Sequence, residues 1–193
     1  MAAGAEGPLV EATLEALARI RAERPRVHCL TNFVAMPLSA NLLLAVGAVP
    51  SMTMDAAVMS DFVESTRALV VNLGMLDPWR RAAAPVAIEF AGTLGRPWVL
   101  DPVKVDRSVD RRRFAQALLD RGPAVLRANT AERPLLTVPA GTVAVTTGAV
   151  DHIEAAGRTF KLGGGSPLMD RVTAMGCAGS ALVGAFLAVQ PDA

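Results

Sequence analysis

Hydrophobic positions recur along this chain with two different periods, and their alternation predicts an α/β fold. Apolar side chains at helical spacing over residues 8–23 predict an amphipathic first helix. Residues 68–74 are almost continuously apolar instead, which is typical of a parallel strand that is covered on both faces. The same reasoning predicts strands over 26–31, 48–52, 97–101, 124–129 and 142–148, and helices over 35–46, 55–65, 108–120, from 77 onwards, and towards 189.

We expect these units to form a three-layer αβα sandwich around a mostly parallel sheet, as a single domain over residues 1–193. Pro85 lies inside the helix that starts after Asp77, and it predicts a kink or a break there. Residues 151–155 and 158–162 indicate an antiparallel hairpin. The glycines of 163–165 are interpreted as a flexible loop, because neither the GxGxxG nor the Walker spacing is present.

Composition narrows the class of protein. Hydrophobic residues make up 52% of the chain, which is enough for a sizeable core, and the formal net charge of +1 argues against nucleic acid as a partner. Two cysteines are too few for a disulfide framework, which favours a reducing cytoplasm. We expect no membrane partner, because no apolar run reaches transmembrane length and the start does not resemble a signal peptide.

The segment 171–180 carries the strongest chemical signal. Thr173 is predicted to cap a helix, and the backbone N–H groups of Ala174, Met175, Gly176 and Cys177 then form an anion hole at its positive end. Cys177 falls in the first turn, where a thiolate is stabilised and the pKa of the thiol is expected to be lowered. The alternative is a helix of small residues packed on the sheet, with Cys177 as a buried filler.

Polar residues follow several predicted strands, and the carboxyl ends of parallel strands meet at one edge of a sheet, where ligands bind. The residues are Thr31, Asn32, Asn72, Asp101, Arg127, Asn129 and Thr147. Asp101 and Glu132 offer the hard oxygen ligands that Mg²⁺ prefers, and Arg127 can hold a phosphate. Each alone has an ordinary explanation, such as a turn or a helix cap. Together they predict phosphoryl transfer, which depends on positioning and charge neutralisation.

Eight segments taken together give the chain a family resemblance. They are residues 27–34, 39–48, 50–52, 69–74, 99–103, 127–132, 144–151 and 167–177. As a set, in this order, they resemble the hydroxyethylthiazole kinase family, whose fold is ribokinase-like. The resemblance implies ATP-dependent phosphorylation of the primary hydroxyl of 4-methyl-5-(2-hydroxyethyl)thiazole, in thiamine biosynthesis or salvage.

The resemblance also implies a role for each site residue. Met52, Asn32 and Ala174 would contact the substrate, and Arg127, Thr147 and Asn129 would contact ATP. Asp101 and Glu132 would hold Mg²⁺. Cys177 would occupy the catalytic position above the anion hole of residues 174–177. The family is trimeric, so the resemblance implies a homotrimer with active sites shared between subunits.

The chain departs from the family pattern in three ways. Ala174 and Lys104 each stand where the family has glycine, so a positive φ at Ala174 would be penalised, and Lys104 either contacts phosphate or faces solvent. A family helix between Glu132 and Thr142 is reduced to nine residues, and family helices beyond Val189 are missing. We expect either that part of the natural protein is omitted or that ATP binding is weakened.

Two alternative functions therefore stay open. One is another ribokinase-like kinase that acts on a pyrimidine or a vitamin alcohol, although Met52 and the turn at Thr31 and Asn32 favour thiazole. The other is a catalytically weak, thiazole-binding relative, which the shortened segments and Ala174 support.

Overall fold

The computed structural model describes residues 6–190 of the chain, and its centre is an eight-stranded sheet. The strands are β1 Arg26–Leu30, β2 Val49–Ser51, β3 Ala68–Asn72, β4 Trp98–Asp101, β5 Val125–Asn129, β6 Val143–Thr147, β7 Asp151–Ala155 and β8 Arg158–Leu162, in the order β2-β1-β3-β4-β5-β6-β7-β8. All neighbours up to β6 pair in parallel, and β7 and β8 add an antiparallel hairpin at one edge.

Helices cover both faces of this sheet. They are α1 Glu6–Glu23, α2 Met36–Val46, α3 Met59–Glu64, α4 Pro78–Thr93, α5 Val109–Leu119 and α6 Met175–Leu187. Alternate residues of β3 divide between two separate cores, with Leu69 and Val71 on the side of α3, α4 and α5, and Val70 on the side of α1, α2 and α6. The predicted three-layer α/β sandwich with a mostly parallel sheet is therefore confirmed.

Local signals account for most helix boundaries. Asp77 caps α4 by accepting a hydrogen bond from the Arg80 N–H at 2.8 Å, and Pro78 follows at the first helical position. Gly47 ends α2 at φ +101°, where an added Cβ would lie 3.0 Å from Arg21. α4 runs on through Pro85, so the break predicted as one outcome there does not occur.

Two local predictions are corrected by the structure. Thr173 does not cap α6, because Ala174 occupies the N-cap position in a left-handed conformation and makes no side-chain cap hydrogen bond. The loop predicted at 163–165 is confirmed, because residues 163–166 belong to no helix or strand, and a short 3₁₀ turn, Pro167–Arg171, follows it. In α1 only the later apolar residues, such as Ala16 and Ile20, are buried, whereas Leu9 and Leu14 stay exposed.

The connection between β5 and β6, residues 130–142, joins two parallel neighbours without an α-helix. Its described secondary structure is one 3₁₀ turn, Arg133–Leu135, where parallel strands are normally joined by a helix. This agrees with the prediction that a helix is absent between Glu132 and Thr142. Across residues 6–190, no helix has both the length and the apolar character required to cross a membrane.

Candidate functional site

The carboxyl ends of β1, β3 and β4 are joined by a chain of buried side-chain hydrogen bonds. The Asn32 Nδ2 donates to the Asn72 Oδ1 at 3.0 Å, and the Asn72 Nδ2 donates to the Asp101 Oδ2 at 2.8 Å. The Gly74 N–H also donates to the Asn72 Oδ1, at 3.0 Å. Asn72 therefore uses both ends of its amide, and this fixes the orientation of the group.

The first turns of α6 join the same network from the other side. The Ser180 Oγ donates to the Asp101 Oδ2 at 2.8 Å, and Ser180 is fully buried. The Arg127 Nη1 donates to the Gly176 carbonyl at 2.7 Å and lies 3.5 Å from the Ser180 Oγ. The guanidinium group of Arg127 thus packs against the N-terminus of α6, and an added Cβ on Gly179 would lie 3.0 Å from it.

Asp101 is the buried charge at the centre of this arrangement. Burial raises the pKa of its carboxyl group, and the nearby charge of Glu132 adds to that effect. The positive charge of Arg127 and the hydrogen bonds from Ser180 and Asn72 act in the opposite direction. A buried carboxylate needs a compensating positive charge more than an exposed carboxylate does, because it has lost its contact with water.

Cys177 lies in the first turn of α6, as predicted, but its chemistry differs from the prediction. The Asn32 Nδ2 donates to its Sγ at 3.7 Å. Burial raises the pKa of the Cys177 thiol and the charge of Asp101 raises it further, while Asn72, Asn32 and Arg127 compensate only in part. The predicted lowering of this pKa was therefore wrong, because the helix end is too buried to stabilise a thiolate.

The first residue of the predicted anion hole is strained. Ala174 adopts φ +61°, in the left-handed region that disfavours side chains other than glycine. The penalty expected for an alanine at this position is therefore present. Met175, Gly176 and Cys177 follow as the first three residues of the helix.

Glu132 clamps the loops after β4 and β5. Its Oε1 accepts from the Lys104 N–H at 2.6 Å, and its Oε2 accepts from the Asn129 N–H at 3.1 Å. The Asn129 Oδ1 in turn accepts from the Glu132 N–H at 3.0 Å. Lys104 adopts φ +64°, directly after Val103 at φ +34°, and its side chain is exposed to solvent.

Two predicted site residues lie beside this network rather than in it. Thr147 pairs with Asn129 in the register of β5 and β6, and its Oγ1 lies 3.5 Å from the Ala128 carbonyl. Met52 is half-buried after β2 and packs against the core on the α6 side. A cavity of 340 Å³ is lined by Phe33, Thr53, Met54, Asp55, Asp77 and Trp79. Two of these residues, Phe33 and Thr53, directly follow Asn32 and Met52 in the sequence.

No cluster of three or more His, Cys, Asp or Glu side chains suited to a metal ion occurs within residues 6–190. Asp101 and Glu132 are buried carboxylates close enough for the charge of Glu132 to influence the pKa of Asp101. Two such oxygen ligands fit Mg²⁺, which keeps several waters and takes further ligands from substrate phosphates.

Sequence reasoning missed three residues that organise the site. Ser180 was not assigned a role, although it lies three positions after Cys177, close to the same side of a helix. Gly74 is required because an added Cβ would lie 2.5 Å from the Asn32 Nδ2. Arg80 is buried, with its Nη1 donating to the Thr31 carbonyl at 3.1 Å and its Nη2 paired with Asp77 at 2.8 Å.

Known proteins resemble this chain in both sequence and architecture. The model of the hydroxyethylthiazole kinase family matches residues 17–138 and 133–193, two stretches that meet at the short connection between β5 and β6. A probable hydroxyethylthiazole kinase of Agrobacterium fabrum is 40% identical over 96% of this chain and 76% of its own length.

Solved structures agree with the sequence comparisons. A hydroxyethylthiazole kinase protein from Pyrococcus horikoshii superposes with a TM-score of 0.86 at 37% identity, over 93% of this chain and 77% of the other. A ribokinase-like superfamily protein from Enterococcus faecalis shares the fold alone, with a TM-score of 0.64 at 16% identity, over 87% of this chain and 72% of the other. Because the family model matches most of its length and relatives of that name are up to 40% identical, the chain belongs to the hydroxyethylthiazole kinase family.

Proposed function

We propose that this protein transfers a phosphoryl group from ATP to the primary hydroxyl of 4-methyl-5-(2-hydroxyethyl)thiazole, in the cytoplasm, for thiamine biosynthesis or salvage. Membership of the family supports the reaction class. The observation that carries the proposal is the hydrogen-bonded group that ties Asp101, Arg127 and the N-terminus of α6 to one sheet edge. Phosphoryl transfer needs this kind of fixed positioning and charge.

The transferred phosphoryl group is assigned to the backbone N–H groups at the start of α6, residues 174–177, where the helix dipole favours negative charge. Arg127 lies beside that helix end with its Nη1 bound to Gly176, so its remaining N–H groups are assigned to the phosphates of ATP. Asn129 and Thr147, paired across β5 and β6, are assigned to the nucleotide as well.

Asp101 and Glu132 are the residues that would hold Mg²⁺, through water and the phosphates of ATP. The ion would neutralise negative charge that develops on the phosphates. The backbone donors bound to Glu132 fix its carboxylate between the loops after β4 and β5. Glu132 would therefore hold these two loops in place as well as contribute charge.

Asn32, Met52 and Ala174 are assigned to the thiazole, with the apolar lining of the adjacent cavity as the surface for its ring. Cys177 is assigned to the substrate hydroxyl. Because burial raises the pKa of its thiol, Cys177 carries its proton at pH 7, and only its small thiolate fraction would accept the proton of the substrate hydroxyl. A modest contribution is sufficient, since the transition state of phosphoryl transfer is loose.

The direct test is phosphorylation of hydroxyethylthiazole by residues 1–193, followed by product mass, with ATP and Mg²⁺ and then with the metal chelated. We expect product only when both are present. A hydroxymethylpyrimidine and pyridoxal serve as competing substrates. Faster turnover of either would replace the thiazole assignment with another ribokinase-like activity.

A catalytically weak thiazole-binding relative is the second candidate, and two observations favour it. Ala174 is strained at φ +61°, and the short link from β5 to β6 leaves little protein beside the proposed nucleotide residues. Calorimetric titration separates the candidates, because this alternative predicts thiazole binding with no measurable binding of ATP. A chain that binds both ligands and turns over excludes it.

We also propose that the protein is a homotrimer with active sites shared between subunits, in which residues 1–193 form one kinase domain. Large apolar side chains that are exposed in the isolated chain support an assembly, namely Leu9, Leu14, Phe33, Val34, Leu44 and Trp79. Sedimentation velocity at assay concentration should give three times the chain mass of 20.1 kDa. A monomer that retains full activity would exclude shared sites.

A further inference from the structure

Two hydrogen-bond donors from different elements converge on one oxygen of Asp101. The Asn72 Nδ2, at the end of β3, and the Ser180 Oγ, in α6, each lie 2.8 Å from the Oδ2. Among residues 6–190, no side-chain or backbone donor is hydrogen-bonded to the Oδ1. The two oxygens of this carboxylate are therefore in different surroundings, although the group is chemically symmetric.

The orientation of an aspartate carboxylate is weakly determined by its own torsion, because the terminal torsion is broad and roughly two-fold. Donors from two separate elements define it here. Asn72 is itself held by Asn32 and by the Gly74 N–H, and the Ser180 side chain is fully buried in α6. The direction of the Oδ1 is thus determined by packing rather than by the ligand.

We propose that Asn72 and Ser180 are positioning residues that occupy the Oδ2 of Asp101 and thereby reserve its Oδ1 for the ligand. The ligand is a hydrated divalent cation bound to nucleotide phosphate, so this inference rests on the proposed kinase function. Neither residue touches substrate in this scheme. Both act through Asp101, by keeping the ligand-binding oxygen in one direction before the ligand arrives.

Ser180 extends this control to Arg127. The hydroxyl proton of Ser180 goes to Asp101, since the contact at 2.8 Å to a buried carboxylate is shorter than the 3.4 Å to the Gly176 carbonyl. The Ser180 oxygen then accepts from the Arg127 Nη1 at 3.5 Å. One serine therefore links the carboxylate assigned to the metal with the guanidinium group assigned to the phosphates.

The first experiment measures binding of Mn²⁺ with a non-hydrolysable ATP analogue by calorimetry, and turnover of hydroxyethylthiazole in parallel. Ser180→Ala should weaken Mn²⁺-nucleotide binding about ten-fold and lower kcat by a similar factor. The KM for the thiazole should change less than about two-fold, because the proposed thiazole residues are untouched. Ser39→Ala is the matched control, since it removes another buried helical hydroxyl, one with no hydrogen-bond partner within residues 6–190.

A second pair of variants separates positioning from a general structural effect. Asn72→Leu removes the donor to Asp101, together with the acceptor for Asn32 and Gly74, and it should also weaken Mn²⁺-nucleotide binding. In an Asp101→Asn protein, Ser180→Ala should have a much smaller effect on that binding, because only the long contact between Ser180 and Arg127 remains to be lost. An equal loss in both backgrounds would show that Ser180 does not act through Asp101 and would overturn the proposal.

The outcomes also separate this inference from the proposed function. If the wild type phosphorylates the thiazole and Ser180→Ala binds Mn²⁺-nucleotide like the wild type, only the positioning role is rejected. If the wild type binds Mn²⁺-nucleotide but phosphorylates no thiazole, the binding comparison still decides the positioning role. If the wild type binds no Mn²⁺-nucleotide, both proposals are rejected.

Discussion

Replacing Gly74 by alanine should disrupt the site from a position that carries no functional group. An added Cβ would lie 2.5 Å from the Asn32 Nδ2 and 2.9 Å from the Asn72 Oδ1. Both distances are below any that a real Cβ adopts, so Asn32 and Asn72 must separate. The hydrogen bond between them, at 3.0 Å in the native protein, is then lost.

The expected change in stability follows from three terms. Overpacking a tight interior site costs about 1–3 kcal/mol. A buried amide that loses its partner costs a further amount of roughly 1–3 kcal/mol. The lower unfolded-state entropy of alanine offsets about 0.4–1 kcal/mol. We therefore expect a net loss of about 3 kcal/mol, which corresponds to a fall in Tm of roughly 6–12 °C for a chain of this size.

Activity should fall as well, because Asn32 also contacts Cys177. A misplacement of this kind lowers turnover by up to roughly 10²-fold, and we expect at least a ten-fold fall in kcat at a temperature where the variant is folded.

Calorimetry and a turnover assay on the same preparation measure both effects. Gly92→Ala is the control, since Gly92 lies within α4 with no neighbouring atom near its added Cβ, and alanine there should raise stability by up to ~1 kcal/mol. If Gly74→Ala melted and turned over like the wild type, the close packing between Gly74, Asn32 and Asn72 would be refuted.

Four further predictions concern the reacting groups. Glu132→Gln should lower turnover strongly while thiazole binding measured by calorimetry survives, since its charge is assigned to Mg²⁺-phosphate, and unchanged turnover would remove Glu132 from the site. Iodoacetamide should alkylate Cys177 slowly at pH 7 and faster as the pH rises past the ordinary thiol value of 9.0, because the raised pKa delays formation of the thiolate to high pH. The Cys177→Ser control leaves only the buried Cys29, and fast labelling at pH 7 would contradict the raised pKa. Cys177→Ala should lose part of the activity and Cys177→Asp should keep or raise it, within the ~10²–10⁴-fold range of general-base catalysis, whereas a stable phosphocysteine in mass spectra of the wild type would instead make Cys177 a nucleophile. Ala174→Gly should relieve about 1–2 kcal/mol of left-handed strain, which the greater unfolded-state entropy of glycine partly offsets. Thermal melting should therefore show equal or higher stability, and a marked loss would mean that the alanine methyl group makes a stabilising contact.

The local errors in the sequence-based predictions share one cause, which is that each was inferred from neighbours in the sequence without the tertiary contacts. A helix start was correctly expected in the 171–180 segment, but Thr173 was chosen as its cap from residue type alone, and Ala174 took that place. The pKa of Cys177 was inferred from its position in the first turn. Burial and the charge of Asp101, which comes from β4, act in the opposite direction and prevail.

The amino-acid sequence by itself determined the strands, most helices and the family, because hydrophobic periodicity, caps and short motifs are local properties. The tertiary structure alone decided which polar groups meet. Asn32 and Cys177 are 145 positions apart, and Asp101 and Ser180 are 79 apart. Whether they touch depends on the register of β3 against β4 and on where α6 packs across the sheet. Hydrophobic periodicity does not specify that register. A hydrogen bond of 2.8 Å between distant residues forms only when the whole core is packed.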